Sequence, residues 1–227
     1  RHLYEFKDEY ANMPVDVQKD EEKGLYYVQK EKKRLYFRKS TPAKKIQKYY
    51  RALSMEQDRR SPHHYFNSVK EVTGKVFVDV GCAEGYSSLE IIEEAKHVYL
   101  FEQDEQWLEA IRATFEPWQD KVTIVQKYVS DHNSSREQTL DDFFNNQTDE
   151  HLFLKMDIEG AERHALAGCK NLFQNCQKLD FAICTYHLRD DEEVISAFLN
   201  KHNCTYINQK GFFRHRIRSV VMRGSKK

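Results

Sequence analysis

Residues 76–92 read VFVDVGCAEGYSSLEII, and this stretch decides the fold. Residues 76–80 have the β-branched and aromatic character of a strand interior, and an amphipathic segment follows near 86–95. Between the two, Gly81 and Gly85 permit positive φ angles and let the backbone approach a ligand closely. The stretch therefore predicts a buried strand, a glycine loop and a helix, in that order.

The same alternation continues to the C-terminus and predicts an α/β fold with a doubly wound sheet of seven strands. The last two strand-like runs leave no room for a helix between them, so we expect the last strand to be antiparallel. The runs are VFVDV (76–80), VYLFE (98–102), VTIVQ (122–126), HLFLKMD (151–157), LDFAICTY (179–186), CTYIN (204–208) and IRSVVMR (217–223). The predicted helices lie near 86–95, 104–116, 138–145, 161–175 and 191–202.

The length of 227 residues suits one main domain plus an extension. We predict a main domain over residues 73–227. Residues 1–72 are polar and rich in Tyr and Lys, with apolar positions at helical spacing, and predict a mainly helical N-terminal extension that binds an acceptor or acts as a lid. No apolar run approaches 18 residues, so we expect no membrane insertion.

The five cysteines are odd in number, widely spaced and form no C-x-x-C pair. This pattern argues against a disulfide framework and against a structural zinc site. A reducing compartment, the cytoplasm, is the simplest interpretation. The cysteines are Cys82, Cys169, Cys176, Cys184 and Cys204.

The net charge is zero, but the charges are unevenly distributed. Residues 29–60 hold 12 Lys and Arg against 3 acids, residues 83–109 hold 8 acids against 1 base, and residues 210–227 hold 7 bases and no acid. A solvated surface explains such runs most simply. The basic segments also suit an acidic partner, either a phosphorylated or nucleotide-linked glycan or a nucleic acid.

In an open α/β sheet, ligands bind beyond the carboxyl ends of the strands. The first strand ends in VDVGCAEG, and the second ends in Glu102, which follows Gly85 by 17 residues. A carboxylate at that position is suited to accept both hydroxyl groups of a ribose. The ligand is therefore expected to contain a nucleoside.

The acids of the loop distinguish between two such ligands. A pyrophosphate needs bare N–H groups and a positive helix end, whereas Asp79 and Glu84 are negative and the third glycine of G-x-G-x-x-G is absent. Acids suit the sulfonium and ammonium groups of S-adenosylmethionine. The expected cofactor contacts are Asp79, Gly81, Cys82, Ala83, Glu84, Gly85, Ser87, Glu102, Gln103, Ser130, Asp131 and Asp157.

Ser130 and Asp131 follow the third strand in the segment YVSD, residues 128–131. In this architecture they are expected near the edge of the adenine ring. An ordinary turn formed by a Ser-Asp pair is an equally good interpretation.

The segment LFLKMDIEGAE, residues 152–162, places three carboxylates at the end of a buried strand. Strand alternation puts Lys155 and Asp157 on one side, with Asp157 beside the transferred methyl group. A carboxylate there can act as a base or hold a metal, although an N-cap is the alternative. Glu162 is expected mainly to favour the positive end of the following helix.

These motifs resemble the FkbM-type family of S-adenosylmethionine-dependent methyltransferases. The similarity rests on V-D-V-G-x-x-x-G-x-x-S (78–88), F-E at the second strand end and above all L-K-M-D-I-E-G-A-E (154–162), and it covers roughly residues 75–210. The resemblance implies a class I methyltransferase fold and O-methylation, commonly of sugars or natural-product hydroxyls. Members often carry an acid and a histidine after the fifth strand; here His187 matches, while Thr185 stands where an acid is more usual.

We predict that Asp157 and His187 act at the acceptor hydroxyl, with Lys155 and Glu159 completing the catalytic group. If a divalent metal takes part, its ligands are expected to be Asp157, Glu159 and His187. Metal-independent catalysis is favoured, because one histidine and no second-strand acid mark this edge. His63 and His64, which precede Tyr65 and Phe66 just before the main domain, are expected to belong to a lid or acceptor wall.

Two functions remain open from the sequence. The first is O-methylation of a sugar, glycan or other small metabolite. The second is an RNA methyltransferase or nucleic-acid-binding protein, in which basic residues hold phosphates while Tyr36, Phe37, Tyr49 and Tyr50 stack on bases. No motif of an RNA-binding module is present.

Overall fold

The structure, a computed structural model, describes residues 2–3, 6–145, 150–213 and 216–226. The strands of these residues are β1 (His2–Leu3), β2 (Val17–Asp20), β3 (Leu25–Lys30), β4 (Lys33–Tyr36), β5 (Val76–Val80), β6 (His97–Phe101), β7 (Val122–Val125), β8 (Tyr128–Val129), β9 (Glu137–Gln138), β10 (Leu152–Met156), β11 (Leu179–Cys184), β12 (Thr205–Phe213) and β13 (Arg216–Lys226). The helices are α1 (Lys7–Ala11), α2 (Ala43–Glu56), α3 (Tyr86–Ile91), α4 (Glu105–Phe115), α5 (Leu140–Phe143), α6 (Glu162–Ala167), α7 (Lys170–Asn175) and α8 (Asp191–Lys201), with 3-10 turns at Val69–Val72 and Glu116–Trp118. None of these helices is long and apolar enough to cross a membrane.

The main sheet has the order β1-β12-β13-β11-β10-β5-β6-β7. Strands β11, β10, β5, β6 and β7 pair in parallel, while β13 pairs antiparallel with both β11 and β12. The predicted seven strands and the antiparallel last strand are therefore confirmed. The eighth strand, β1, is a two-residue addition that the sequence did not reveal.

The central parallel strands are buried on both faces, as their apolar sequences require. Every residue of β5 and of β10 is buried. Alternate residues enter different cores, so that Phe77 packs on one face and Val78 on the other. In register, Met156 lies beside Val80, and Val80 beside Phe101. The carboxyl ends of these strands consequently form one level edge.

The N-terminal extension contains the predicted helix and also a small sheet that was not predicted. Helix α2 buries Ile46 and Tyr50, in agreement with the helical spacing. Before it, β2, β3 and β4 form an antiparallel sheet, so the extension is less helical than expected. The run LYYVQK of β3 has strand-forming side chains, but the charged residues on both sides of it obscured this signal.

The extension shares a core with the main domain. Leu35, Phe37 and Ile46 are fully buried in the same cluster as Leu89 and Val98. The extension is therefore part of the folded unit in this structure.

One predicted helix is divided in two. The segment expected at 161–175 forms α6 and α7, with Gly168 between them. A Cβ atom at Gly168 would lie 2.0 Å from the carbonyl oxygen of Ser130, so only glycine permits this approach. Gly168 therefore lets the loop after β8 pack directly against the backbone between α6 and α7.

The segment that joins α2 to β5 is fastened to the C-terminal hairpin by Arg223 of β13. One Arg223 nitrogen, Nη1, lies 2.8 Å from His64 Nε2 and 3.0 Å from Asn67 Oδ1. The other, Nη2, lies 2.7 Å from Glu71 Oε2. The position of residues 61–71 thus depends on the last strand of the chain.

Candidate active site

A cavity of about 970 Å³ opens at the carboxyl edge of the parallel strands. Its volume is near the upper end of the usual range for ligand sites, about 300–1,000 Å³, and suits a nucleoside cofactor together with part of an acceptor. Two of the predicted site residues, Gly85 and His187, do not line it. The predicted residues that do line it are Asp79, Gly81, Cys82, Ala83, Glu84, Ser87, Glu102, Gln103, Ser130, Asp131, Lys155, Asp157 and Glu159.

Asp79 and Lys155 form a buried ion pair at the base of the cavity. Lys155 Nζ lies 2.8 Å from Asp79 Oδ1 and donates a 2.7 Å hydrogen bond to the carbonyl oxygen of Gly81. The hydroxyl of Ser88 donates to the second oxygen of Asp79 at 2.6 Å. Burial opposes the charge of Lys155, but Asp79 and Asp157 outweigh it and raise the pKa of the ammonium group. The pair therefore shapes the glycine loop from beneath.

Gly81 brings the glycine loop against the end of β10. Its φ angle is +80°, and a Cβ atom there would lie 2.2 Å from the carbonyl oxygen of Asp157. The backbone N–H of Asp157 donates to the carbonyl of Val80 at 3.1 Å. Because no larger residue fits, glycine places the loop directly beside the predicted catalytic acid.

Glu102 faces the cavity from the end of β6. Its carboxylate accepts hydrogen bonds from the backbone N–H groups of Ala83, at 3.0 Å, and Asp104, at 2.8 Å. These bonds fix the orientation of the carboxylate and leave lone pairs for a diol. Arg38 of the extension lies over the Trp107 ring, 4.3 Å from its centroid, and covers this end of the cavity.

Asp131 is placed at the cavity wall by two histidines. His132 Nδ1 lies 2.8 Å from one carboxylate oxygen, and His164 Nδ1 lies 3.2 Å from the other. These hydrogen bonds lower the pKa of Asp131 to about 2. Its neighbour Ser130 is buried and also lines the cavity.

Asp157 is the centre of a polar cluster at the end of the cavity opposite to Glu102. Its Oδ2 atom accepts a 2.6 Å hydrogen bond from the hydroxyl of Tyr65 and lies 3.8 Å from His63 Nε2. Its Oδ1 atom lies 3.4 Å from His187 Nε2. Burial alone would raise the pKa of this carboxyl, but His63, Lys155 and the Tyr65 hydrogen bond reverse the effect and lower it. Asp157 is consequently ionised at neutral pH.

His187 lies behind Asp157, away from the cavity wall. Its Nδ1 atom is 2.9 Å from Glu162 Oε1, and Glu162 also accepts backbone hydrogen bonds from Ile158 and Gly160. Burial would lower the pKa of His187, but Glu162 and Asp157 together raise it. His187 therefore contacts Asp157 and Glu162 from behind the wall, and Glu162 satisfies two backbone N–H groups where α6 begins.

The predicted metal ligands lie close together, with His187 Nε2 3.4 Å from Asp157 Oδ1 and 3.5 Å from Glu159 Oε2, but of the three only Asp157 and Glu159 line the cavity. The side chain of Glu159 is 92% exposed, and His187 does not reach the cavity. Two groups of three residues each have ligand atoms within 4.8 Å of one another: His63, Asp157 and Cys184 form one group, and Asp157, Glu162 and His187 form the other. The buried ammonium of Lys155 acts on both Asp157 and Cys184, however, and would repel a second cation. We therefore assign no metal to this site.

Sequence reasoning missed several residues that complete the cavity wall. Glu56 at the end of α2 lies near Asp157, Glu84 and Glu159; burial first, then these charges, raise its pKa to about 7. Glu84 is buried and accepts a 2.8 Å hydrogen bond from Tyr49. No motif marks these positions, because they meet the strand ends only through the tertiary fold. The missed wall residues include Arg38, Tyr49, Glu56, Tyr65, Trp107 and Tyr186.

Comparison with known proteins identifies the family. The profile of the methyltransferase FkbM domain matches residues 50–207. The chain belongs to the FkbM methyltransferase family. No curated protein matches this methyltransferase significantly.

Solved structures share the fold of this FkbM methyltransferase. The methyltransferase FkbM of Methylobacillus flagellatus KT superposes with a TM-score of 0.54 and 17% identity, over 81% of this chain and 55% of that one. Magnesium protoporphyrin IX methyltransferase (ChlM) of Synechocystis PCC 6803, with bound SAM, has a TM-score of 0.51, 12% identity and coverages of 83% and 86%. A Streptococcus mutans protein in complex with SAH has a TM-score of 0.50, 15% identity and coverages of 70% and 93%. The chain thus spans little more than half of the FkbM structure that it matches.

Proposed function

We propose that this protein transfers a methyl group from S-adenosylmethionine to a hydroxyl group of a sugar, glycan or other small metabolite. The observation that carries the proposal is one cavity that joins the glycine loop and Glu102 to Asp157. The first two suit a nucleoside cofactor, and Asp157 suits an acceptor hydroxyl. Two structures of the same fold contain SAM or SAH, which supports this choice of cofactor.

The cofactor is proposed to lie across the ends of β5, β6 and β7. Glu102 would accept hydrogen bonds from the ribose, and the buried Glu84 would compensate the positive charge of the cofactor. Ser130 and Asp131 would border the adenine. Asp79 would act indirectly in this arrangement, because Lys155 and Ser88 already engage its oxygens.

The acceptor is proposed to enter beside Asp157. Three carboxylates line this end, those of Glu56, Asp157 and Glu159, while the ammonium of Lys155 is paired with Asp79. Such a wall suits neutral hydroxyl groups and would repel a phosphate. The acidic acceptor suggested by the charge of residues 29–60 is therefore less well supported than a neutral one.

The nucleic-acid alternative loses most of its stacking residues. Tyr36, Phe37 and Tyr50 are 3%, 0% and 9% exposed, so bases cannot stack on them. The hydroxyl of Tyr49 is bonded to Glu84. Several cations of the basic segment are also paired within the protein, including Lys30 with Glu90.

A labelled-methyl assay tests the proposal. Purified protein and S-adenosylmethionine labelled in the methyl group are incubated with pools of glycans, nucleotides and RNA. We expect label in the neutral glycan or metabolite pool. Label confined to RNA, or a failure to bind S-adenosylmethionine in calorimetry, would refute the proposed function.

We also propose a reducing compartment such as the cytoplasm. All five cysteines are free, and Cys82, Cys169, Cys176 and Cys184 are buried. Free thiols persist most readily where reductants are maintained. Fractionation of cells that express the full-length protein tests this assignment, and recovery in an oxidising compartment would contradict it.

A further inference from the structure

Three histidines near Asp157 differ in what their rings face. His63 lines the cavity. His187 is held between Asp157 and Glu162 behind the wall. His64 contacts the carbonyl oxygen of Ser61 and the guanidinium of Arg223. Of these three, His63 is the histidine that an entering acceptor can touch.

The ring of His63 is fixed by its surroundings. Its Nε2 atom lies 3.1 Å from the hydroxyl of Tyr186 and 3.8 Å from Asp157 Oδ2. The rings of Tyr65 and Tyr186 pack against it with centroid distances of 5.5 and 5.3 Å. Gln57 holds the backbone on both sides, through the carbonyl of His63 and the N–H of Tyr65. The imidazole is thus preorganised beside a carboxylate.

The charge state of His63 suits a proton acceptor. Burial lowers its pKa to about 4; Asp157 opposes this shift, and Lys155, His187 and His64 reinforce it. The ring is therefore neutral at pH 7 and has a nitrogen able to accept a proton. The adjoining Cys184 and Tyr186 stay protonated, because burial raises the pKa of both.

Asp157 is less suited to take the proton itself. Its Oδ2 atom already accepts the hydrogen bond of Tyr65, and its Oδ1 atom faces His187 Nε2 at 3.4 Å, so both carboxylate oxygens lie against a polar neighbour. A carboxylate beside an imidazole instead stabilises the imidazolium that forms when the ring takes up a proton, as in other acid–histidine pairs.

We propose that His63, rather than His187, accepts the proton of the acceptor hydroxyl, while Asp157 stabilises the resulting imidazolium. The hydroxyl oxygen forms a bond to the methyl carbon, the carbon–sulfur bond breaks, and its electron pair stays on sulfur to give S-adenosylhomocysteine. The hydroxyl proton passes to His63 Nε2 and then to solvent. This inference rests on the proposed methyl transfer, and the experiments separate the two.

The first experiment compares His63→Gln with His97→Gln. His97 lies at the opposite end of the sheet and bonds to Thr123, so its replacement controls for the loss of a histidine. We expect His63→Gln to lower turnover by about 10²-fold or more with an unchanged KM for S-adenosylmethionine, and His97→Gln to leave turnover unchanged. Added imidazole should partly restore a His63→Ala variant. Near-normal turnover of a folded His63→Gln protein would overturn the inference.

The second experiment needs no acceptor. Histidine Cε1–H resonances are recorded by NMR with S-adenosylhomocysteine and then with sinefungin, which carries an amine near the position of the transferred methyl. The His63 signal, assigned by its loss in His63→Gln, should shift between the two ligands, while the His97 signal stays constant. An unmoved His63 signal with both ligands bound would overturn the inference. Failure of both ligands to bind would instead refute the proposed function.

Discussion

The two ends of the cavity are built in different ways. At the cofactor end, the glycine loop and Glu102 follow consecutive strands and are separated by about one helix. At the acceptor end, the hydrogen bond from Tyr65 to Asp157 spans 92 residues, and the contact between His63 Nε2 and the Tyr186 hydroxyl spans 123. The cofactor end thus depends on local sequence, whereas the acceptor end depends on the packing of the extension. Variants that affect one end and spare the other test this division.

The largest effect is expected for Lys155→Met, because Lys155 is shared by both ends. Its loss leaves Asp79 buried without its cation, which costs about 3–5 kcal/mol of unfolding free energy. The glycine loop also loses the bond to the Gly81 carbonyl. Urea denaturation followed by circular dichroism measures the loss. A variant with nearly normal stability would contradict the structural role of the pair.

Asp157→Asn tests the acceptor end alone. The substitution keeps the shape but removes the charge beside His63, so turnover should fall by about 10²-fold or more, with cofactor affinity nearly intact. Labelled-methyl turnover and calorimetry with S-adenosylhomocysteine give the two quantities. Each assay is repeated with a chelator and with added Mg²⁺, because a chelator that abolishes turnover of the unmodified protein would show a metal after all. Unchanged turnover in Asp157→Asn would remove Asp157 from the reaction.

Glu102→Ala is the matching change at the cofactor end. It removes a charge-assisted bond to the ribose and should weaken S-adenosylmethionine binding by about 1.5–3 kcal/mol. Because Glu102 also accepts from Ala83 and Asp104, unfolding is measured in parallel to separate binding from stability. Calorimetry that finds unchanged affinity would show that the ribose lies elsewhere.

The smallest effect is expected for Glu56→Gln and depends on pH. The pKa of Glu56 rises from its ordinary value of 4.5 to about 7, so the folded protein loses stability relative to the unfolded chain as the pH rises through this interval. Glutamine avoids this loss. The unfolding free energy of the variant, relative to that of the unmodified protein, should therefore rise by on the order of 1–3 kcal/mol from pH 5 to pH 8. Urea denaturation at both pH values checks this, and an equal difference at both would contradict the raised pKa of Glu56.

Deletion of residues 1–60 is a poor test of the extension. Leu35, Phe37 and Ile46 are fully buried in the shared core, so their removal would expose apolar surface of the main domain. Single variants at His63 and Glu56 examine the acceptor end without this damage.

The features that could be predicted from the sequence are those encoded by short-range patterns, namely the parallel strands and the loops that follow them. Strands and helices leave periodic signals, and residues 76–102 were therefore sufficient by themselves to predict β5, α3 and β6 and the edge where the cavity lies. The nucleoside site at that edge stays a prediction. The contact of Tyr65 with Asp157 leaves no such signal, because it depends on how the extension packs. His187 illustrates the same limit: its position after β11 was correct, but only the folded chain shows that Glu162 holds it behind the wall. The strands β2 and β4 were missed because their sequences, VQKD and KRLY, are largely polar and give no apolar run, and β3 lies between them.

The Arg223 contacts bear on the order in which parts of the chain can fold during synthesis. A ribosome delivers the cofactor loops roughly 100 residues before it delivers β13, and domains generally begin to fold during synthesis. Residues 61–71, which include His63 and Tyr65, are held by contacts of Arg223 with His64 and Glu71. These contacts can form only after Arg223 has left the ribosome. The growing chain can therefore assemble the surface for its cofactor first and the surface for its acceptor last.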